Sequence, residues 1–249
     1  MSTKKILIMA LMFPIHAMAQ PGEIITDRPD QTESPFTVPV KHFQMETGFM
    51  FEKTDAHTHS FVYPTILFKY GVNNFFELRL ITDFSNTKSE SERITGLNPV
   101  VIGFKVNIAQ EKGIIPTTSF IGHLSIPALA TGKLKTTYYA PEFRFTMQHT
   151  LSDKLSLGYN LGAEFDGETA EPVFIYTLTT DYVITDKLGS YLEVYGFAPQ
   201  KSKPNHRFDA GFFYLLHSNI SVDLSGGFGL TENAPDYYIS TGFSFRLKD

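Results

Sequence analysis

The 249-residue sequence contains no cysteine and no tryptophan. A disulfide scaffold is thereby excluded, and so is a lipid anchor on an N-terminal cysteine. Long apolar runs are also missing. Beyond the first twenty residues no stretch approaches the ~18 consecutive apolar residues of a membrane-spanning helix, which excludes a helical membrane protein. Neither charge sign dominates: Lys and Arg number 21 against 26 Asp and Glu, a net charge of -5. So modest and evenly spread a charge gives no footprint for a nucleic-acid partner. Glycine-rich phosphate loops, zinc-ligand spacings and Gly-x-Ser-x-Gly elbows are absent, so no cofactor and no metal are expected.

What is present begins with a secretory signal over residues 1–19. Lys4 and Lys5 precede an apolar stretch from Ile6 to Phe13, and Ala17-Met18-Ala19 supplies the small residues of a cleavage site, so the mature chain is expected to start at Gln20. About 230 residues without a Pro/Gly/Ser-rich linker read as one domain.

From His42 to the end at 249, apolar and polar residues alternate with period two, in segments of about ten residues separated by turn formers. Phe76, Leu78, Leu80 and Phe84 share one face of such a segment, with Glu77, Arg79 and Asp83 on the other. The count is twelve strands, starting near residues 42, 60, 75, 97, 115, 137, 155, 173, 188, 206, 220 and 237. Their connections alternate. Tight turns at 71–74, 151–154, 185–187 and 217–219, and a slightly looser one at 110–113, interleave with longer polar loops at 85–95, 127–136, 166–171 and 199–205. An up-and-down membrane barrel has short periplasmic turns and long outer loops, whereas a sandwich has no reason to alternate them.

Alternation alone does not say whether the oily face meets lipid or a soluble core. Aromatic banding favours lipid over the alternative of a soluble periplasmic β-protein. Tyr70, Phe76, Tyr182, Tyr214 and Phe245 fall near one end of their strands and Phe51, Phe84, Tyr139, Phe174, Phe208 and Tyr237 near the other, as two interfacial belts require. The expected architecture is an all-β, antiparallel up-and-down transmembrane barrel in the outer membrane of a Gram-negative bacterium, with lipid around it. The inner face then carries Glu77, Arg79, Lys105, Glu142, Arg144, Glu164, Asp181, Glu193, Arg207 and Asp223 as lumen-lining residues. Tyr63, Tyr191 and Tyr195 are expected to point inward and narrow the lumen.

Residues 20–41 form an irregular segment punctuated by Pro29, Pro35 and Pro39, each of which restricts the residue before it to extended backbone. The strip presents Asp27, Arg28, Asp30, Gln31 and Glu33. It could tuck into the lumen as a plug, pairing with Arg79, Arg144, Arg207 or the carboxylates, run along the periplasmic rim, or remain a disordered leader. The run Thr26-Asp27-Arg28-Pro29-Asp30-Gln31-Thr32-Glu33-Ser34-Pro35, with Val38-Pro39 and Gln44-x-Glu46-x-Gly48, resembles the outer-membrane proteins of the meta-pathway of phenol degradation family, with weaker support from Pro99. The resemblance implies a β-barrel and a transporter for small, aromatic or apolar molecules. One departure is the end of the chain, where Lys248-Asp249 follow Phe243, Phe245 and Leu247 instead of a terminal aromatic.

Three constellations have bland and sharp readings. His57 and His59 could contribute two metal ligands, though solvated loop histidines are the commoner case. His123-Leu124-Ser125 has the His-x-Ser spacing of twelve-stranded outer-membrane phospholipases, but no orienting acid can be placed beside it from sequence. Glu142 and Glu164, across adjacent strands, read as field-setting groups rather than an acid/base pair. The expectation is therefore not an enzyme but a weakly selective pore for small-molecule solutes, against a non-transporting barrel with a closed lumen. The oligomeric state is not written in the sequence.

Overall fold

The computed structural model describes residues 22–248. The expected signal, residues 1–19, lies outside them. The strands are β1 (His42–Lys53), β2 (His59–Asn73), β3 (Phe76–Lys88), β4 (Arg93–Leu97), β5 (Val100–Ala109), β6 (Thr117–Ile126), β7 (Ala140–Ser152), β8 (Leu155–Glu164), β9 (Val173–Val183), β10 (Leu188–Pro199), β11 (Asn205–His217), β12 (Ile220–Gly229) and β13 (Tyr237–Lys248). Sequence neighbours pair antiparallel except β4 and β5, β3 pairing with both of them, and β1 pairs with both β2 and β13, so the sheet closes on itself. Closure leaves β4 alone with an unpaired edge among the described strands and pairs the others on both sides, the condition for a sheet to stand in hydrocarbon.

Twelve strands make the wall, and β4 is an addition. The polar stretch read as a loop at 85–95 is instead a hairpin: β3 runs on to Lys88 and its upper part, Phe84 to Lys88, pairs with β4, while its lower part pairs with β5. Thr and Ile at these positions favour extended backbone even where both faces are wet. The expected fourth wall strand therefore begins at Val100 rather than near 97. On the same rim, the loop between β6 and β7 folds into two 3-10 turns, Pro127–Leu129 and Gly132–Leu134. It docks on β4 through Thr131, whose hydroxyl accepts from the Leu97 N–H at 2.8 Å. Farther round, Asp166 caps the Glu168 and Thr169 N–H groups, and these bonds hold its carboxyl below the usual carboxylate range.

The oily face turns outward. Leu78, Leu161, Leu192, Phe212, Leu224 and Ile239 are exposed, while the alternate positions on the same strands, such as Glu77, Asn160, Glu193 and Asp209, are buried. A soluble protein would invert this pattern, and only lipid makes it favourable. The outer rim gathers Phe51, Phe61, Tyr63, Phe84 and Tyr237 into a run of ring contacts between 4.8 and 6.5 Å.

Tyr63 is a correction to the sequence reading. It is 42% exposed and faces outward. Strict alternation from Lys69 would turn it inward, but a one-residue bulge between Val62 and Thr65, seen against both β1 and β3, reverses the phase of the strand above it. Tyr191 and Tyr195, on unbroken β10, do point inward and are 2% exposed.

Candidate functional site

The lumen holds a stretch of the protein's own chain. Residues 22–41 rise from the rim of short turns and return to it. Near the start, the Ile24 N–H donates to Ser218 O in the β11–β12 turn at 2.7 Å; near the end, Lys41 N–H donates to Gly71 O at 2.8 Å. Between them the segment meets inward-facing side chains from nearly the whole wall.

A buried segment without secondary structure must have its backbone groups satisfied by something else. Here the wall does it. Glu46 on β1 accepts the N–H groups of Asp27 and Arg28 at 2.9 and 3.2 Å, and Gln44 donates to Ile25 O at 2.7 Å. Glu193 accepts from Gln31 N–H at 2.8 Å, Asn160 from Glu33 N–H at 2.8 Å, and Glu77 from Val38 N–H at 2.7 Å. Prolines at 29 and 35 remove donors that would otherwise need partners. Carbonyls are met too: Lys105 donates to Ser34 O at 2.7 Å, Thr146 donates to Glu33 O, and Ser119 donates to Pro35 O.

Charge fixes the register. The Asp27 carboxylate receives Lys105 at 2.8 Å, Lys69 at 3.0 Å and Arg79 at 3.1 Å, and Arg79 reaches on to Glu33 at 2.7 Å. All three cations are at most 4% exposed, and the wall carboxylates Glu46 and Glu77 share the cluster. Arg28 is held on the opposite side by Asp223 through two nitrogens, at 2.8 and 3.2 Å, and donates to Ser240 at 2.9 Å. Its guanidinium occupies a recess made by two glycines paired in register across β1 and β13. A Cβ on either Gly48 or Gly242 would collide with it. Gly71, under the carbonyls of Val38 and Pro39, plays the same part at the exit.

These contacts give Gln44-x-Glu46-x-Gly48 a physical role: it is the socket for the Thr26–Pro29 stretch. Nothing in the sequence links the two motifs, and nothing there marks Asn160, Thr146, Ser119 or Gly242 as contacts of the segment. Polar inward residues look alike in a single sequence. Arg207 does not meet the segment as anticipated. It pairs with Glu52 at 3.0 Å near the outer rim and lies over the rings of Tyr195 and Phe197 at 5.9 and 5.6 Å. Arg144 contacts Gln31 O at 3.4 Å and pairs with Glu142.

Inward charge is uneven round the wall, although Glu77 and Glu142 share strands with cations and Arg207 shares β11 with Asp209. Lys69, Arg79, Lys105 and Arg144 stand on β2, β3, β5 and β7; Asp181, Glu193, Asp209 and Asp223 stand on β9 to β12. The first group is neutralised by carboxylates. Within the second, only Asp223 has a cationic partner among the described residues. Glu164 lies opposite Glu142 in register. His123 does have an orienting acid, contrary to expectation: its Nδ1 is 3.2 Å from Glu142, which the strand register places directly across from it. Ser125 does not complete a relay, since His123 Nε2 is buried and has no hydrogen-bond partner. His57 meets Glu90 at 2.5 Å in the outer loops.

Among solved structures, an outer membrane channel from Pseudomonas putida F1 superposes with a TM-score of 0.68 at 11% identity, over 86% of this chain and 98% of that one. The NanC porin gives 0.56 at 10% identity, over 82% and 100% of the two chains, and the KdgM porin 0.51 at 11%, over 80% and 98%. At such identities the likeness is one of fold. Compared by sequence with curated proteins, the chain has no significant match. A family profile does match, over residues 26–247, which takes in most of the lumen segment and nearly all of the wall. The chain belongs to the family described as Putative MetA-pathway of phenol degradation.

Proposed function

We propose that the protein is a passive channel for small solutes across the outer membrane, and that residues 22–41 act as its plug. The observation that carries this reading is the way the segment is held. An element meant only to fill a core would pack through apolar side chains, whereas this one is retained by ion pairs and hydrogen bonds to a polar wall, which water and solutes can replace. The inner face is the permeation surface, with Glu77, Arg79, Lys105, Glu142, Arg144, Glu164, Asp181, Glu193, Arg207 and Asp223 setting its field. The phenol-degradation association of the family makes small aromatic or apolar molecules the first solutes to test. No catalytic step is assigned to the barrel.

Bilayer conductance of the full protein beside a variant lacking residues 21–40 tests the proposal, after a heat-modifiability gel has confirmed the barrel. Larger conductance in the deletion supports a plug, and equal conductance defeats it. A second reading, a non-transporting barrel with a closed interior, is favoured by the near-complete burial of mid-lumen side chains such as Lys105, Glu193 and Asp209. Silence from both forms would establish it.

A further inference from the structure

Between the plug and the wall, on the side of the short turns, lies a cavity of about 330 Å³. The plug contributes one side of it and strands β7, β8, β9, β11 and β12 the other. Much of its lining is apolar, from Ile25 and Phe36 of the plug and from Val183, Phe213 and Leu215 of the wall. Its charges do not balance. Arg28 borders the cavity but is committed to Asp223, and Glu33 borders it but is committed to Arg79. Asp30 from the plug and Asp181 from β9 also border it, and neither has a cationic partner among the described residues. Asp181 receives only the Ser156 hydroxyl, at 3.1 Å.

The neighbourhood carries further unused hydrogen-bonding capacity. Tyr191, opposite Asp181 in the β9–β10 register, is 2% exposed and stands behind the cavity lining. Asp209 Oδ1 is likewise buried and without a partner. Thr32, on the cavity's lining, donates to Glu193, so the acidic patch continues behind it. A carboxylate kept in a largely apolar recess without a cation is costly, and charge-assisted hydrogen bonds from a ligand relieve that cost. The complementary molecule carries a positive head for Asp30 and Asp181 and an apolar body for the Phe213 side.

We propose that this cavity is a binding site for small amphipathic organic cations, primary amines with an apolar or aromatic body. The proposal deepens the channel reading by naming a solute class, and rests on it for passage but not for binding. The test is calorimetric titration of the full chain in detergent, at neutral pH, with benzylammonium, benzyl alcohol and benzoate, three probes of similar shape and different charge. Benzylammonium is expected to bind about tenfold or more tightly than the other two. The double variant Asp30→Asn/Asp181→Asn should lose that preference while its affinity for benzyl alcohol stays unchanged. Equal binding of all three probes, no binding of benzylammonium, or a preference that survives the double substitution overturns the proposal. Should the double variant fail the heat-modifiability check, Asp30→Asn alone, which leaves every strand intact, must weaken benzylammonium and spare benzyl alcohol. Binding without conductance defeats the channel and leaves the site; conductance without binding does the reverse.

Discussion

Replacing Asp27 with Asn asks how firmly the plug is held. The substitution keeps the volume and removes the one charge that Lys69, Arg79 and Lys105 share, at 3.0, 3.1 and 2.8 Å. Removing one member of a buried ion pair typically costs 3–5 kcal/mol, much of it from the charge left behind. Here Glu33, Glu46 and Glu77 still face the cluster, which puts the expected loss at the lower end, about 3 kcal/mol. If that loss falls on the docked state alone, the released fraction rises by about two orders of magnitude. The natural absence of cysteine supplies the assay. Thr32 belongs to the plug and is 6% exposed against the wall, so Thr32→Cys gives a single thiol that a polar maleimide reaches only when the segment leaves the lumen. The labelling rate of Asp27→Asn/Thr32→Cys should exceed that of Thr32→Cys by about a hundredfold, with a matching rise in open events in a bilayer. Labelling rates within a factor of about two of each other would mean that the three cations do not hold the segment, and the electrostatic account would fail.

Further outcomes follow from the same geometry. Gly48→Leu puts a side chain where the Arg28 guanidinium sits and should raise Thr32→Cys labelling although no charge changes; an unaltered rate would deny the recess its role. On the lipid side, Leu224→Arg near the middle of β12 should destabilise the barrel by about 2–4 kcal/mol, read as a lower urea midpoint in vesicles, whereas no change would argue against an outward Leu224. Because the chain has no tryptophan, Tyr63→Trp and Tyr195→Trp report independently: brominated lipid should quench the first and spare the second, and equal quenching would contradict the bulge in β2.

The barrel was legible because its determinants are local and periodic. Alternation along β9 or β12 is set residue by residue, and turn formers punctuate the chain wherever it reverses. Tyr63 escaped because one inserted residue in β2 shifts every side chain above it to the other face, and a bulge becomes visible only when both neighbouring strands are present to be counted against. The β3–β4 hairpin escaped for a related reason, since a polar strand outside the membrane carries no oily face to announce it.

The sequence by itself determined an exported, closed, lipid-facing sheet, because the bilayer demands an apolar outer surface and short strands with paired edges, and those demands repeat every second residue. Only the tertiary structure decided what the charged interior meets. Asp27 meets Lys69, Arg79 and Lys105 from positions 42, 52 and 78 residues away, and Arg28 finds its recess between glycines of the first and last wall strands. Such meetings depend on closure of the whole barrel, and neither composition nor spacing carries them. The stiff strip from Thr26 to Pro39 thus became a segment seated in the lumen, with a pocket beside it that its own side chains help to line.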